Sequence, residues 1–159
     1  MDSSTTISPS DQPRWFAKRF RATHVLKTGP GGETLRGIDA TGGGEVVIRT
    51  VASADPAAGP RLERELATLA RLDGTDLVRP VAAGRQGAVL YSVLPYVPGV
   101  TLEAHLADVA RPLGVAEALT VGHGVLDALA VAHEHGFLHC DVRPSNIVVE
   151  AEAGAVRKR

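Results

Sequence analysis

Three clusters of glycine and proline, Gly29-Pro30-Gly31-Gly32, Gly42-Gly43-Gly44 and Pro98-Gly99, cut the first part of this chain into pieces too short for ordinary helices. Between them residues 24–26, 34–38 and 45–51 read as strands of an antiparallel meander, the last of them a β-branched run. A Pro/Ala/Gly loop at 52–60 follows, and then Leu62, Leu66, Leu69 and Leu72 recur at the spacing of one helix face, with Asp73-Gly74 as the stop. Residues 77–82 and 88–94 supply two more strands, closed by Pro95 and by Pro98-Gly99. The first part is therefore expected to be a five-stranded antiparallel sheet with one helix. Beyond it the period becomes helical. Thr101 is a good N-cap for a helix through Ala110, and Leu119, Leu126, Leu129 and Val131 give residues 115–135 an apolar face that Gly136 ends. Residues 147–149 form a last short strand. The fold class is α+β.

Composition removes several functions. With 17 Lys+Arg against 18 Asp+Glu the net charge is -1, so no basic field points to nucleic acid or to an anionic membrane surface. The aromatics Trp15, Phe16 and Phe20, interleaved with Arg14, Lys18 and Arg19, could stack on bases; covering one edge of a small sheet is the preferred reading. A single cysteine, Cys140, can form no internal disulfide, and residues 1–12 lack the basic start and apolar run of a signal peptide, so a cytoplasmic chain is expected. Residues 115–131 are broken by Glu117, His123 and Asp127 and are expected not to span a membrane.

The segment richest in chemistry is His139-Cys140-Asp141-Val142-Arg143-Pro144-Ser145-Asn146, between the long helix and the last strand. A carboxylate and an amide on one tight loop suit phosphoryl transfer, where a base must orient an attacking hydroxyl and an amide oxygen can hold magnesium against phosphates. The loop resembles the protein-kinase catalytic loop, His-Arg-Asp-x-x-x-x-Asn. The resemblance implies Asp141 as catalytic base, Asn146 as magnesium ligand and Arg143 in the place of a lysine that steadies the transferring phosphate. The order of elements agrees with that family. Gly29 and Gly31 fit the first two glycines of its phosphate loop, although the third position falls on Thr34. Val46-Val47-Ile48-Arg49 resembles the strand that faces the nucleotide, with Val47 beside it and Arg49 where a lysine is usual. Residues 65–78 align without a gap to the family's central helix and next strand, which makes Glu65 the partner of that cation. Leu94, Pro95 and Val97 match the hinge: Leu94 as gatekeeper, with the Pro95 carbonyl and the Val97 N–H as adenine contacts.

This resemblance implies a protein-kinase-like fold with a loosely packed leader at 1–19, a small lobe at 20–94 and a hinge at 95–100. An incomplete helical lobe at 101–159 stops before the Asp-Phe-Gly aspartate. ATP and magnesium are the implied cofactors and a protein Ser or Thr hydroxyl the implied acceptor, since Arg143-Pro144-Ser145 is similar to serine/threonine-kinase loops. Three departures bear on activity: Arg49, whose planar guanidinium is not a point ammonium; Cys140 in place of the family's arginine; and the ending at Arg159, which leaves this stretch expected to lack turnover. An alternative is a pseudokinase or partner-binding module, and small-molecule phosphotransferases share the Asp and Asn spacing. The helix over 115–135 is expected to leave an apolar face open, through which the chain could associate. His133, His135, His139 and Cys140 could suggest zinc, but Gly136 separates them and the loop match makes His139 a buried loop residue; Cys140 could be a reactive thiol, and a packed small residue is the preferred reading.

Overall fold

The computed structural model describes residues 5–6, 14–69, 72, 76–108 and 113–149. They divide into two compact units, Met1–Arg71 with Val78–Tyr96, and Leu72–Leu77 with Val97–Arg159.

The first unit is a sheet. Strands β3 (Phe20–Gly29), β4 (Gly32–Asp39), β5 (Glu45–Ala52), β6 (Ala82–Gln86) and β7 (Val89–Pro95) are antiparallel in the order β3-β4-β5-β7-β6, with the two-residue strands β1 (Thr5–Thr6) and β2 (Trp15–Phe16) on β3. The expected five strands are present, and their pairing follows the turns: Pro30-Gly31 makes a two-residue hairpin that pairs Gly29 with Gly32. Alternation buries one face. Phe20, Leu35, Ile48 and Val93 are fully buried there with Phe16, Ala22, Val46 and Tyr91 around them, and each large side chain so removed from water stabilises the fold by about 1.5–3 kcal/mol. Phe16 and Tyr91 meet with ring centroids 5.4 Å apart. Helix α1 (Ala58–Leu69) runs between β5 and β6 in the chain and packs on β6.

Three expectations change. The loose leader 1–19 is too long, because Trp15–Phe16 pairs with Phe20 and Arg21 and Phe16 is 4% exposed. The strand expected over 77–82 begins only at Ala82, since Pro80 has no N–H to give a ladder. Leu72, expected as the last apolar residue of α1, lies beyond that helix and is buried in the second unit; the Asp73-Gly74 stop lies outside the described residues.

The second unit is built on helices α2 (Leu102–Asp108) and α3 (Val115–Glu134), and on a two-stranded ribbon of β8 (Val100–Thr101) with β9 (Val148–Val149). Thr101 caps α2 as expected, its Oγ1 accepting the Ala104 N–H at 3.1 Å. Glu117 closes the start of α3 by accepting the Gly114 N–H at 2.7 Å. Gly136 ends it in a left-handed conformation, φ +80°, with the Phe137 N–H returning to the Ala132 carbonyl. Inside α3 only the small residues Ala128 and Ala132 are buried, while Val115, Leu119 and Leu126 are exposed. α3 is long and apolar enough, by length and composition alone, to cross a membrane, a property it shares with core helices of soluble proteins.

Candidate functional site

The candidate residues divide between the two units. In the first, the face of the sheet opposite the core carries Val47 and Arg49 on β5. Register places Val47 opposite Leu94 on β7 and Arg36 on β4, and Arg49 opposite Ser92 and Thr34. Residues paired in this way share a face, so the strand and hinge residues picked from sequence stand side by side. Pro95 ends β7 opposite Val46, where a residue lacking an N–H is tolerated because the ladder ends.

Sequence reasoning missed Arg36. Its guanidinium donates to both Glu45 carboxylate oxygens at 2.7 Å and lies 4.5 Å from the Tyr96 ring centre, and the hydrogen bonds to Glu45 hold it charged above its ordinary range. A cation thus stands directly beside Val47, tied down by a carboxylate and an aromatic ring. The alternation of β4 carried the signal, since Arg36 must face away from its buried neighbours Leu35 and Gly37.

The glycine hairpin bends over β5. The Ala52 N–H donates to the Gly31 carbonyl at 3.2 Å and the Glu33 N–H to Thr50 Oγ1 at 3.0 Å. Gly29 and Gly31 have open space where a Cβ would stand. Gly32 does not: a Cβ there would lie 1.8 Å from the Thr50 carbonyl oxygen, so this hairpin tolerates no side chain at that point. Glu65 is exposed on α1 and has no cationic partner among the described residues. The expected link to Arg49 is therefore not formed in this structure. Two exposed charges gain little from pairing in water, and α1 is held on β6 by other contacts.

In the second unit the loop gathers its polar residues on Asp141. The Asn146 side-chain amide donates to Asp141 Oδ2 at 2.7 Å and to the Asp141 carbonyl at 2.9 Å, while Arg143 Nε lies 3.2 Å from Oδ1. Both carboxylate oxygens are thereby oriented. Arg143, expected to face a phosphate, here braces the aspartate. Pro144–Asn146 is a single 3-10 turn that brings Asn146 back over Asp141, and the ribbon behind it is tied to α2 by the Leu102 N–H donating to the Ile147 carbonyl at 2.8 Å. Gly99 lets that ribbon close, because a Cβ on it would meet the Val149 carbonyl oxygen at 2.5 Å. Cys140 is left-handed, φ +60°, a conformation that strains a residue with a Cβ by about 1–3 kcal/mol; sequence gave no sign of it.

His139 and Cys140 are exposed, which corrects the expectation of a buried histidine and a packed thiol. The loop binds back on itself here too: His139 Nδ1 accepts the backbone N–H of Asp141 at 3.3 Å. His135 is bound through Nδ1 to the Val131 carbonyl, and among the described residues no cluster of metal-ligating side chains forms.

Comparison with known proteins gives this geometry a family. The protein kinase domain profile matches residues 20–157. The chain is 30% identical over 146 residues to the probable serine/threonine-protein kinase PknB of Lactococcus lactis, covering 89% of this chain and 23% of that protein. It is 36% identical over 98 residues to a probable serine/threonine-protein kinase of Clostridium perfringens, covering 61% of this chain and 14% of that one. The crystal structure of the Mycobacterium tuberculosis PknI kinase domain superposes with a TM-score of 0.75 at 26% identity, over 90% of this chain and 60% of that domain. The chain thus spans about a quarter of the length of its full-length relative PknB, and it belongs to the protein kinase domain family.

Proposed function

We propose that these residues form the nucleotide-facing sheet and catalytic loop of a serine/threonine protein kinase, which transfers the γ-phosphoryl group of ATP to a protein hydroxyl. The observation that carries the reading is the loop around Asp141, where Arg143 and Asn146 fix both oxygens of one exposed carboxylate. A base that accepts a hydroxyl proton must be held in place yet reachable, and this one is both. Asp141 would orient the acceptor hydroxyl and take its proton. Val47, Leu94 and the Pro95 carbonyl would bind the adenine, and the hairpin at Gly29 and Gly31 would lie over the phosphates with Arg49 as their cation.

The donor set fits magnesium in one respect: the Asn146 side chain brings an amide oxygen to the same loop as the Asp141 carboxylate, and a hard cation takes oxygen. When bound, magnesium would neutralise charge on the phosphates, with Asn146 among its ligands. Arg49 favours a second reading, a nucleotide-binding domain without turnover, because a guanidinium replaces the ammonium that normally meets the phosphates.

Calorimetry of magnesium-ATP with the chain and with Arg49→Ala tests the site. A loss of about tenfold in the variant, the size of one charge-assisted contact, supports it; a folded chain that binds no nucleotide overturns it. In the whole protein, Asp141→Asn should lower kcat by about 100-fold or more with little change in the KM for ATP, as for a lost general base. Binding without any transfer from the unmodified protein would decide for the second reading.

A further inference from the structure

The face of the sheet that carries Val47 and Leu94 also carries Arg36. Alternation turns Leu35 and Gly37 of β4 to the buried face and Arg36 to this one, as it does Glu45 and Val47 on β5. Register sets Arg36 opposite Val47, and Val47 opposite Leu94. Arg36 spends one edge of its guanidinium on Glu45: Nε donates to Oε1 at 3.1 Å, and Nη2 to Oε1 and Oε2 at 2.7 Å each. The head group lies over Tyr96, 4.5 Å from the ring centre, and Tyr96 is itself held to β5 by its N–H, which donates to the Glu45 carbonyl at 3.0 Å. The cation is thus fixed at the end of β7, beside Pro95. Nη1 takes no part. Its two N–H groups lie on the side away from the bonded edge and have no partner among the described residues. The ion pair adds little to the fold, since its side chains are 36% and 48% exposed.

We propose that Arg36 is a specificity-determining residue that lets this site accept a 6-keto purine, guanine or hypoxanthine, beside adenine; the proposal rests on the nucleotide-site reading above. A cationic N–H donor favours a base that offers acceptors, and guanine sets O6 beside N7 where adenine sets an amino donor beside N7. Pinned by Glu45 and Tyr96, the head group cannot swing aside without breaking charge-assisted bonds. A carbonyl oxygen that meets Nη1 therefore gains a bond, and an amino group that meets it is left facing a donor. The Pro95 carbonyl serves either base, accepting from the adenine amino group or from the ring N–H of guanine. An apolar residue at position 36 would draw no such distinction.

Calorimetry of the full chain with the magnesium complexes of ATP, GTP and inosine triphosphate tests this. The two keto nucleotides should bind within about tenfold of ATP, and Arg36→Met, which keeps an unbranched stem without donors, should weaken both about tenfold relative to ATP, near the low end for one arginine–base contact. The ratio is the readout, because a change that merely loosens the sheet weakens all three alike. Equal losses for the three in the variant, or keto nucleotides that bind the unmodified chain more weakly than that, overturn the proposal. Inosine triphosphate carries the carbonyl without the guanine amino group, so GTP binding without inosine triphosphate binding overturns it as well. Should Arg36→Met fail to fold, Arg36→Leu, which also lacks donors, is read the same way. A folded chain that binds none of the three overturns the nucleotide reading itself, and the role of Arg36 with it.

Discussion

The sheet unit and the helical unit bury very different things. On the sheet, Phe20, Leu35, Ile48 and Val93 are closed off by strands and short edges of the same unit. On α3 the burial stops at Ala128 and Ala132, and Leu126 is 64% exposed. Leu138 and Val142 beyond the helix are exposed as well. The sheet therefore has a core of its own, whereas α3 presents core-type residues with no cover among the described residues. An apolar stripe of this size on a helix is a packing face rather than a solvated one. The matched part is 60% of the solved PknI kinase domain, so two units of one family fold can differ widely in how much of their packing they hold within this stretch.

That contrast is most sharply tested by truncating one large side chain in each unit. Phe20→Ala should cost about 3–5 kcal/mol and Leu126→Ala no more than about 0.5 kcal/mol in denaturant unfolding, the range for a filled core position and for an open surface one. A large cost at Leu126 would mean that the α3 face is covered in solution, by another copy or by some other surface, and would erase the difference. The glycines of the hairpin give the next largest effect. Gly32→Ala must push a Cβ into the Thr50 carbonyl and should cost about 3 kcal/mol or more. Gly31→Ala, with open space around it, should stay near or below 1 kcal/mol in stability. If nucleotide binding falls in Gly31→Ala at unchanged stability, the hairpin faces a ligand; if the two variants unfold alike, β4 does not approach β5 as described.

The same glycines mark how far sequence reaches. Turn chemistry and strand alternation were enough to place the meander, the Thr101 cap, the Gly136 stop and the loop joining Asp141 to Asn146, because each depends on neighbours along the chain. Gly32 escaped notice because its need for a missing Cβ comes from Thr50, on another strand. Arg85 on β6 escaped for a similar reason, since its guanidinium donates to the carbonyls of Ser53 and Asp55, about thirty residues away in the loop before α1. Register also put Arg36 beside Val47, which only the pairing of β4 with β5 reveals. The exposure of His139 and Cys140 was misjudged because a loop motif fixes backbone order without fixing what covers the loop. Placing Glu65 opposite Arg49 came from alignment, and the contacts that set the position of α1 are long-range ones that alignment does not contain.

The smallest effect lies at the turn between β4 and β5 and depends on pH. Arg19 grips Asp39 with two bonds, Nε to Oδ1 at 2.8 Å and Nη2 to Oδ2 at 2.6 Å, while the Thr41 N–H donates to Oδ1 at 2.9 Å. These bonds, the Arg19 one first, hold the Asp39 carboxyl well below the usual carboxylate range. A carboxyl depressed in the folded state binds its proton more readily when unfolded, so its contribution is whole above the ordinary aspartate pKa, about 3.9, and is lost progressively as the pH falls below it. Arg19 is solvent-exposed and Asp39 half-buried, and screening through the exposed partner keeps the effect small. Asp39→Asn should therefore flatten the acid limb of the unfolding midpoint between roughly pH 5 and pH 2 while changing little at neutral pH in moderate salt. An acid limb identical in the variant would show that the turn joining β4 to β5 is held by its backbone bonds, Gly43 N–H to the Asp39 carbonyl and Asp39 N–H to the Gly44 carbonyl, and not by the Arg19 pair.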